Sequence, residues 1–153
     1  MNYWLMKTEP DVFSIDDLAA MPGKKDHWDG VRNYQARNFM RDEMKKNDKV
    51  LLYHSNCKDK GIVGIAKVVK ESYPDHTAFD KKSKYFDAKS NKDNPRWFMV
   101  DVKFEKKFKS VLTLEEIKNH KTLKNMLVAK PGQRLSIMPV KEKEFTTIID
   151  FLS

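Results

Sequence analysis

The densest group of residues that could recognise a nucleic acid lies between Trp28 and Asn38. A glycine turn there leads into the start of a helix, whose free backbone N–H groups attract anions and hydrogen-bond acceptors. Arginines follow closely, and a guanidinium can bind a phosphate or a base edge through two parallel hydrogen bonds. We therefore expect phosphate contacts from Arg32, Arg37 and Arg41. The alternative to a binding site is an ordinary capped helix whose basic face is solvated.

Trp28 is the aromatic residue whose neighbours favour a binding role. Charged and flexible residues flank it on both sides, whereas a core tryptophan normally sits in an apolar run. Loop aromatics near arginines suit stacking on bases, at about 1–3 kcal/mol per base. We expect Trp28 to line a partly open cleft near Ser14, Asn33 and His54, so that its replacement would barely change stability. Core packing is the alternative, because tryptophan is highly buried on average.

The chain lacks the sequence motifs of the common catalytic sites. It has no Walker loop, dinucleotide fingerprint, paired-histidine metal motif or nucleophile elbow. His54 precedes the only cysteine, Cys57, but on a strand two residues three positions apart point to opposite faces. We therefore predict no catalytic residues, no metal and no cofactor. An enzyme acting on a nucleotide or small aromatic substrate, and a peptide-binding module, are the alternatives.

Charge and cysteine content indicate the partner and the compartment. The 153 residues carry a net charge of +8, although the first thirty are net acidic. This asymmetry favours a surface that faces a polyanion, so the expected partner is nucleic acid, RNA or DNA, and not a membrane. One cysteine fits a reducing compartment. No signal peptide or membrane span is recognisable, and we expect a cytoplasmic protein, or a nuclear one in a cell with a nucleus.

Hydrophobic periodicity and capping residues predict the elements that position these groups. Strands are expected at 2–8, 49–55, 61–70, 97–104 and 134–140. Helices are expected at 15–21, 33–46, 113–120, 122–129 and 142–152, separated by loops that include 24–32 and 72–96. The clustering of strands in mid-chain argues for an α+β fold with a mixed or antiparallel sheet.

Several longer motifs, in this order along the chain, resemble the EVE-domain family. They are WLMKTEP (4–10), FSIDDL (13–18), WDGVRNYQARN (28–38), YHS (53–55), GIVGIA (61–66), PRW (95–97) and RLSIMPV (134–140). The resemblance covers essentially the whole chain. The lysine-rich segment 81–94 matches none of these motifs, and no role is predicted for it.

The resemblance implies a PUA-like fold, a curved mixed sheet or pseudo-barrel flanked by short helices, as one domain over 1–153. Related domains hold a modified base in an aromatic cage or receive a flipped base. The chain is therefore expected to be a non-catalytic reader of a modified or flipped base, with Trp28 stacking on it. The base pocket implied by the resemblance consists of Trp4, Lys7, Ser14, Trp28, Asn33, Tyr53, His54 and Ser55.

Overall fold

A six-stranded mixed sheet forms the centre of the computed structural model, which describes residues 1–152. Its strands are β1 (Tyr3–Thr8), β2 (Lys25–His27), β3 (Lys49–His54), β4 (Gly61–Pro74), β5 (Phe98–Thr113) and β6 (Ile137–Val140). The strand order is β2-β5-β4-β3-β1-β6. Strand β1 runs parallel to β3, with Trp4 opposite Val50, and every other pairing is antiparallel. The α+β class and the mixed sheet agree with the sequence prediction.

Four short helices cover the two faces of this sheet. They are α1 (Ile15–Ala20), α2 (Tyr34–Asn38), α3 (Leu114–Asn119) and α4 (Glu142–Leu152). Capping boxes start two of these helices, with Ser14 and Asp17 at α1 and Thr113 and Glu116 at α3. Each box satisfies two backbone N–H groups that a helix start would otherwise leave free.

Strand β1 is buried on both sides, because successive side chains of a strand point to opposite faces. Trp4 and Met6 join a core cluster that includes residues of α1 and α2. Leu5, between them, joins a second cluster that includes residues of α3 and α4. The two clusters together hold the sheet between its helices, which gives β1 and β3 fixed positions at the centre of the molecule.

Strands β4 and β5 are long and irregularly paired, which bends the sheet. Their register shifts at several points, one of them between Ile62 and Gly64. A Cβ added to Gly64 would lie 2.2 Å from the Lys106 carbonyl oxygen of β5, so glycine permits the close approach of the two strands here. Bulges of this kind bend a strand and increase its twist. Strands β2 and β6 are the two edges, so over residues 1–152 the sheet is open.

Three predicted elements were wrong in extent or type. The helix expected at 33–46 has only one α-helical segment, α2, followed by the π-helical turn Phe39–Glu43. The carboxylate of Asp48 then accepts from the Lys45 backbone N–H and directs the chain into β3. The helix expected at 122–129 is a series of turns that ends in the 3-10 helix Leu127–Ala129. At its start His120 Nδ1 accepts from the Thr122 N–H and competes with helical bonding. The strand expected at 134–140 begins only at Ile137.

Long-range pairing explains the remaining differences. The loop expected at 24–32 contains β2, an edge strand stabilised by pairing with β5. Strands β4 and β5 pair with each other beyond their predicted ends, to Pro74 and Thr113. Trp97, expected to start a strand, lies just before β5. The part of the expected loop 72–96 that follows β4 is ordered by turns and by the 3-10 helix His76–Phe79. No helix of residues 1–152 combines the length and apolar character needed to cross a membrane.

Candidate nucleic-acid interface

A cleft of about 760 Å³ opens beside the ends of β1 and β3. Its lining comes from the turn after β1, from the segment between β2 and α2, and from two loops distant in sequence. It combines polar groups with aromatic rings. The lining residues are Lys7, Thr8, Glu9, Val12, Phe13, 26–33, Ser55, Lys84, Tyr85, Arg134 and Ser136.

Trp28 is part of both the cleft wall and the core. Its backbone N–H donates to the Val100 carbonyl at 2.8 Å, which anchors the segment directly after β2. Its ring meets the ring of Phe13 edge-on, with centroids 6.4 Å apart. Only 8% of the residue is exposed, and it belongs to the same core cluster as α1 and α2. Trp28 therefore presents a limited surface to the cleft while its body packs inside the protein.

Gly30 forms a tight backbone turn in the wall of the cleft. Its φ of +78° lies in the left-handed region, which glycine enters without steric cost. The Tyr85 ring packs directly against it, and an added Cβ would lie 2.5 Å from the ring carbon Cζ. The Gly30 N–H donates to Asp75 Oδ2 at 2.8 Å. Glycine at this position thus allows Tyr85 to close one side of the cleft.

Arg32 uses all its donors within the protein, which corrects the expectation that it contacts phosphate. Nε and one Nη2 hydrogen donate to the Tyr85 carbonyl, at 3.1 and 2.7 Å. Nη1 donates to the Val31 carbonyl and to Asp75 Oδ2, and Nη2 also donates to Thr77 Oγ1. A guanidinium has five N–H groups, so this set leaves none for a phosphate. Arg32 instead fixes the loop that carries Tyr85.

Asp75 is the fully buried partner in this network. Burial would raise the pKa of its carboxyl, but hydrogen bonds from Thr77, Gly30 and Arg32 stabilise the charged form and hold the pKa below its ordinary value. The Arg32 Nη1 to Asp75 Oδ2 distance is 3.1 Å, and the arginine side chain is 22% exposed. One carboxylate therefore ties the Gly30 turn, Arg32 and the turn at Thr77 into a single unit.

Asn33 and Lys7 line the cleft, and the side-chain N–H groups of both can donate hydrogen bonds to a ligand. The Asn33 amide oxygen caps α2 by accepting from the Ala36 N–H at 3.0 Å, which leaves its amide NH₂ as a donor. The Lys7 backbone N–H donates to the Ser136 carbonyl, and burial lowers the pKa of its ammonium group. Ser55 joins them, since its backbone N–H donates to the Thr8 carbonyl at the end of β1.

Four residues expected in the pocket lie elsewhere. Trp4 is 2% exposed and donates from Nε1 to the buried Asp48, so it belongs to the core. Tyr53 projects from the other face of the sheet, where burial raises its pKa to about 12. Ser14 caps α1, and His54 Nε2 accepts from the Ile15 backbone N–H at 3.1 Å. The polar atoms of Trp4, Ser14 and His54 therefore support the fold.

Arg37 and Arg41 lie beside the cleft, along α2 and the π-helical turn. Arg37 donates to the Arg96 carbonyl at 2.6 Å, and its guanidinium lies 4.8 Å from the centre of the Tyr34 ring. The Tyr34 ring stacks on Trp97 at 4.7 Å and is half exposed. Arg41 forms a two-bond ion pair with its neighbour Asp42. Both arginines remain partly available at a surface next to the cleft.

Most lining residues were not among the predicted ones, and these include Phe13, His27, Asp29, Lys84, Tyr85, Arg134 and Ser136. Lys84 and Tyr85 lie in the segment 81–94, for which no role was predicted. Tyr85 has Lys84 on one side but Phe86 on the other, so the criterion that singled out Trp28, polar neighbours on both sides, did not select it. Arg134 and Ser136 were visible only as part of a family motif. No group of three or more histidine, cysteine or carboxylate side chains within 1–152 is arranged to hold a metal ion.

Comparison with known proteins agrees with this architecture. The EVE-domain family model matches residues 2–151. Thymocyte nuclear protein 1 from Homo sapiens is 47% identical over 165 residues, which cover 97% of this chain and 72% of that protein. The same protein from Gallus gallus is 48% identical over 164 residues, covering 96% and 67%.

Two solved structures superimpose closely on this one. The human THYN1 protein in complex with 5-methylcytosine-containing DNA gives a TM-score of 0.92 at 47% identity, covering 99% of this chain and 97% of that one. A Pseudomonas syringae protein gives a TM-score of 0.92 at 47% identity, covering 97% and 98%.

Proposed function

This chain belongs to the EVE-domain family, and from this premise we propose that it binds DNA and reads a modified base in the 760 Å³ cleft. The expected PUA-like fold is confirmed by the structural neighbours. We further propose that residues 1–153 act as one domain and that the base is a cytosine methylated at C5. The observation that carries the proposal is the human relative, a close structural match solved with 5-methylcytosine-containing DNA.

The chemistry of the cleft supports a flipped cytosine as its occupant. A flipped base is recognised by hydrogen bonds to its Watson–Crick edge and by contact with aromatic or apolar side chains. In the proposed complex the free NH₂ of Asn33 donates to a ring acceptor, and the carboxylate of Asp29 accepts from the exocyclic amine. Phe13, Trp28 and Tyr85 supply the aromatic walls, and a C5 methyl group packs against them.

We propose that this recognition is non-catalytic. A catalytic Cys–His pair is disfavoured because His54 Nε2 already accepts a hydrogen bond from the Ile15 backbone, so this nitrogen does not act as a base. Arg32 is likewise committed to structural contacts through all five donors. The remaining polar groups of the cleft fit hydrogen bonding to a base edge.

The comparisons favour DNA over RNA and the nucleus over the cytoplasm. DNA is the polymer in the human relative's structure, whereas RNA was only one of two expected partners. The vertebrate relatives are named as nuclear proteins, which supports the nuclear alternative in a eukaryotic cell and gives the cytoplasmic expectation no support.

A binding comparison on matched oligonucleotides tests the proposal. One duplex carries a single 5-methylcytosine, a second has cytosine at that position, and a third is the RNA of the same sequence. We expect the methylated DNA to bind about fourfold more tightly than the unmodified DNA, because one buried methyl group contributes about 0.8 kcal/mol. Equal affinities for the two DNAs would contradict base reading, and stronger binding to the RNA would contradict the assignment to DNA.

A further inference from the structure

A second cavity of about 280 Å³ lies next to the cleft and has a different chemical character. Four lysines line it, Lys7, Lys60, Lys118 and Lys130, and its lining contains no aspartate or glutamate. We call this cavity the lysine hollow. Its floor is apolar, since the ring of Tyr53 and the side chain of Val128 face it.

The lysine hollow and the cleft share part of their lining. Lys7 and Ser55 border both cavities, so the two form neighbouring compartments on one surface. The two shared residues lie on adjacent chain segments, because the backbone N–H of Ser55 donates to the carbonyl of Thr8 at 2.9 Å. A DNA strand with one base in the cleft would thus continue directly over the lysine hollow.

Within residues 1–152, none of the four lysines of the hollow forms an ion pair with a carboxylate. Lysines elsewhere do form such pairs, with Lys49 Nζ 2.6 Å from Glu105 and Lys107 Nζ 2.9 Å from Asp16. Asp59 and Glu115 line a neighbouring cavity that shares Lys60 and Lys118. The hollow itself is lined by four lysines and no carboxylate, which favours a positive potential that attracts an anion.

Lys7 is the lysine whose position is most restricted. It is half-buried, and its ammonium lies 5.7 Å from the centre of the Tyr53 ring. Its backbone is held in β1 between β3 and β6. A partly desolvated ammonium favours an anionic partner, because burial weakens its hydration and strengthens its electrostatic interactions. Lys7 therefore marks the junction at which a phosphate would be bound.

We propose that the lysine hollow binds the phosphodiester backbone of the nucleotides that flank the base held in the cleft. This inference rests on the proposed function, because the cleft fixes where the strand enters. Lys7 contacts the phosphate at the junction, and Lys60, Lys118 and Lys130 neutralise those that follow. The apolar floor accommodates the deoxyribose between successive phosphates.

The test is a double variant, Lys60→Gln with Lys118→Gln, since both side chains are exposed and their replacement leaves the core intact. The matched control is Lys109→Gln with Lys143→Gln, which removes the same charge at exposed positions outside both cavities. Affinity for the duplex carrying 5-methylcytosine is measured as a function of salt. Affinity for the nucleoside 5-methyl-2′-deoxycytidine, which has no phosphate, is measured in parallel.

We expect the double variant to bind the duplex roughly tenfold to a hundredfold more weakly at 0.1 M salt, with a salt slope reduced by about two units. Nucleoside affinity should stay at the wild-type value, and the control should change little. If the double variant matches the control, the hollow does not bind the strand, while base reading stands. If instead it loses affinity for poly-glutamate but not for DNA, the occupant is an acidic peptide and the proposal is overturned.

The wild-type protein separates the two proposals. Lysine-dependent DNA binding without a preference for 5-methylcytosine would contradict the proposed function and still support the phosphate site. Failure of the wild-type protein to bind DNA at all would overturn both.

Discussion

The Arg32 guanidinium lies 3.1 Å from Oδ2 of Asp75, a carboxylate with no exposed surface, 43 positions further along the chain. The same oxygen accepts from the Gly30 N–H, so one buried charge holds the cleft wall and its rim together. A buried ion pair with complete hydrogen bonding is costly to disrupt, because removing one partner leaves an uncompensated charge. The shape of the cleft therefore depends on a pair whose hydrogen bonds are all made within the protein.

Replacing Asp75 with Asn should reduce the free energy of unfolding by about 3–5 kcal/mol at neutral pH, since Arg32 then loses its counter-charge. Because the folded-state pKa of Asp75 is depressed, its contribution is present above the ordinary value of 3.8 and is lost as pH falls through the lower folded-state pKa. Denaturant unfolding of both proteins from pH 7 to pH 2 checks this.

The difference in stability between wild type and D75N should accordingly shrink below about pH 4. Asp42→Asn, which removes the exposed partner of Arg41, is the control and should lie within measurement error of wild type. A difference between wild type and D75N that is constant over the whole pH range would show that the carboxylate is not charged in the folded protein.

Trp28→Ala should destabilise the protein by about 3–5 kcal/mol, because most of the ring is packed against the core. This revises the expectation drawn from its polar neighbours, that stability would barely change. Trp28→Phe keeps an aromatic ring beside Phe13 and should lose substantially less. Chemical denaturation of the three proteins provides the measurement, and a near-zero loss for the alanine variant would place the ring outside the core.

Asn33→Ser separates the cap of α2 from its proposed contact with the base. Serine also caps helices, so the melting temperature should change little. The variant lacks the amide NH₂, and affinity for methylated DNA should fall about tenfold, equivalent to one hydrogen bond of about 1.4 kcal/mol. Isothermal titration on the folded variant measures the affinity. Unchanged binding with an intact fold would remove Asn33 from the base contact.

Gly30→Ala should destabilise the protein by about 2–4 kcal/mol, combining left-handed backbone strain with the overlap between Cβ and the Tyr85 ring. Gly132→Ala is a matched control: its φ of +73° is similar, but no atom lies within 4 Å of the added Cβ. The control therefore reports the backbone cost alone. Equal losses of unfolding free energy in the two variants would mean that Tyr85 moves aside freely.

Local patterns in the sequence determined the strands at the centre of the sheet, both capping boxes and the final helix. Strand alternation, helical stripes and caps act between residues a few positions apart, so they can be read from a short segment. The same local patterns selected the segment around Trp28 and Asn33, which lines the cleft. They could not determine which neighbouring groups face this cleft.

Tertiary structure alone decided the membership of the cleft. Trp4 and Tyr53 point into the two cores because β1 and β3 are covered on both faces, which depends on helices distant in sequence. Arg32 is unavailable to phosphate because Asp75 and the Tyr85 carbonyl, 43 and 53 positions away, accept its hydrogens. A side chain's availability depends on every group that packs against it, and those groups are brought together only when the chain folds.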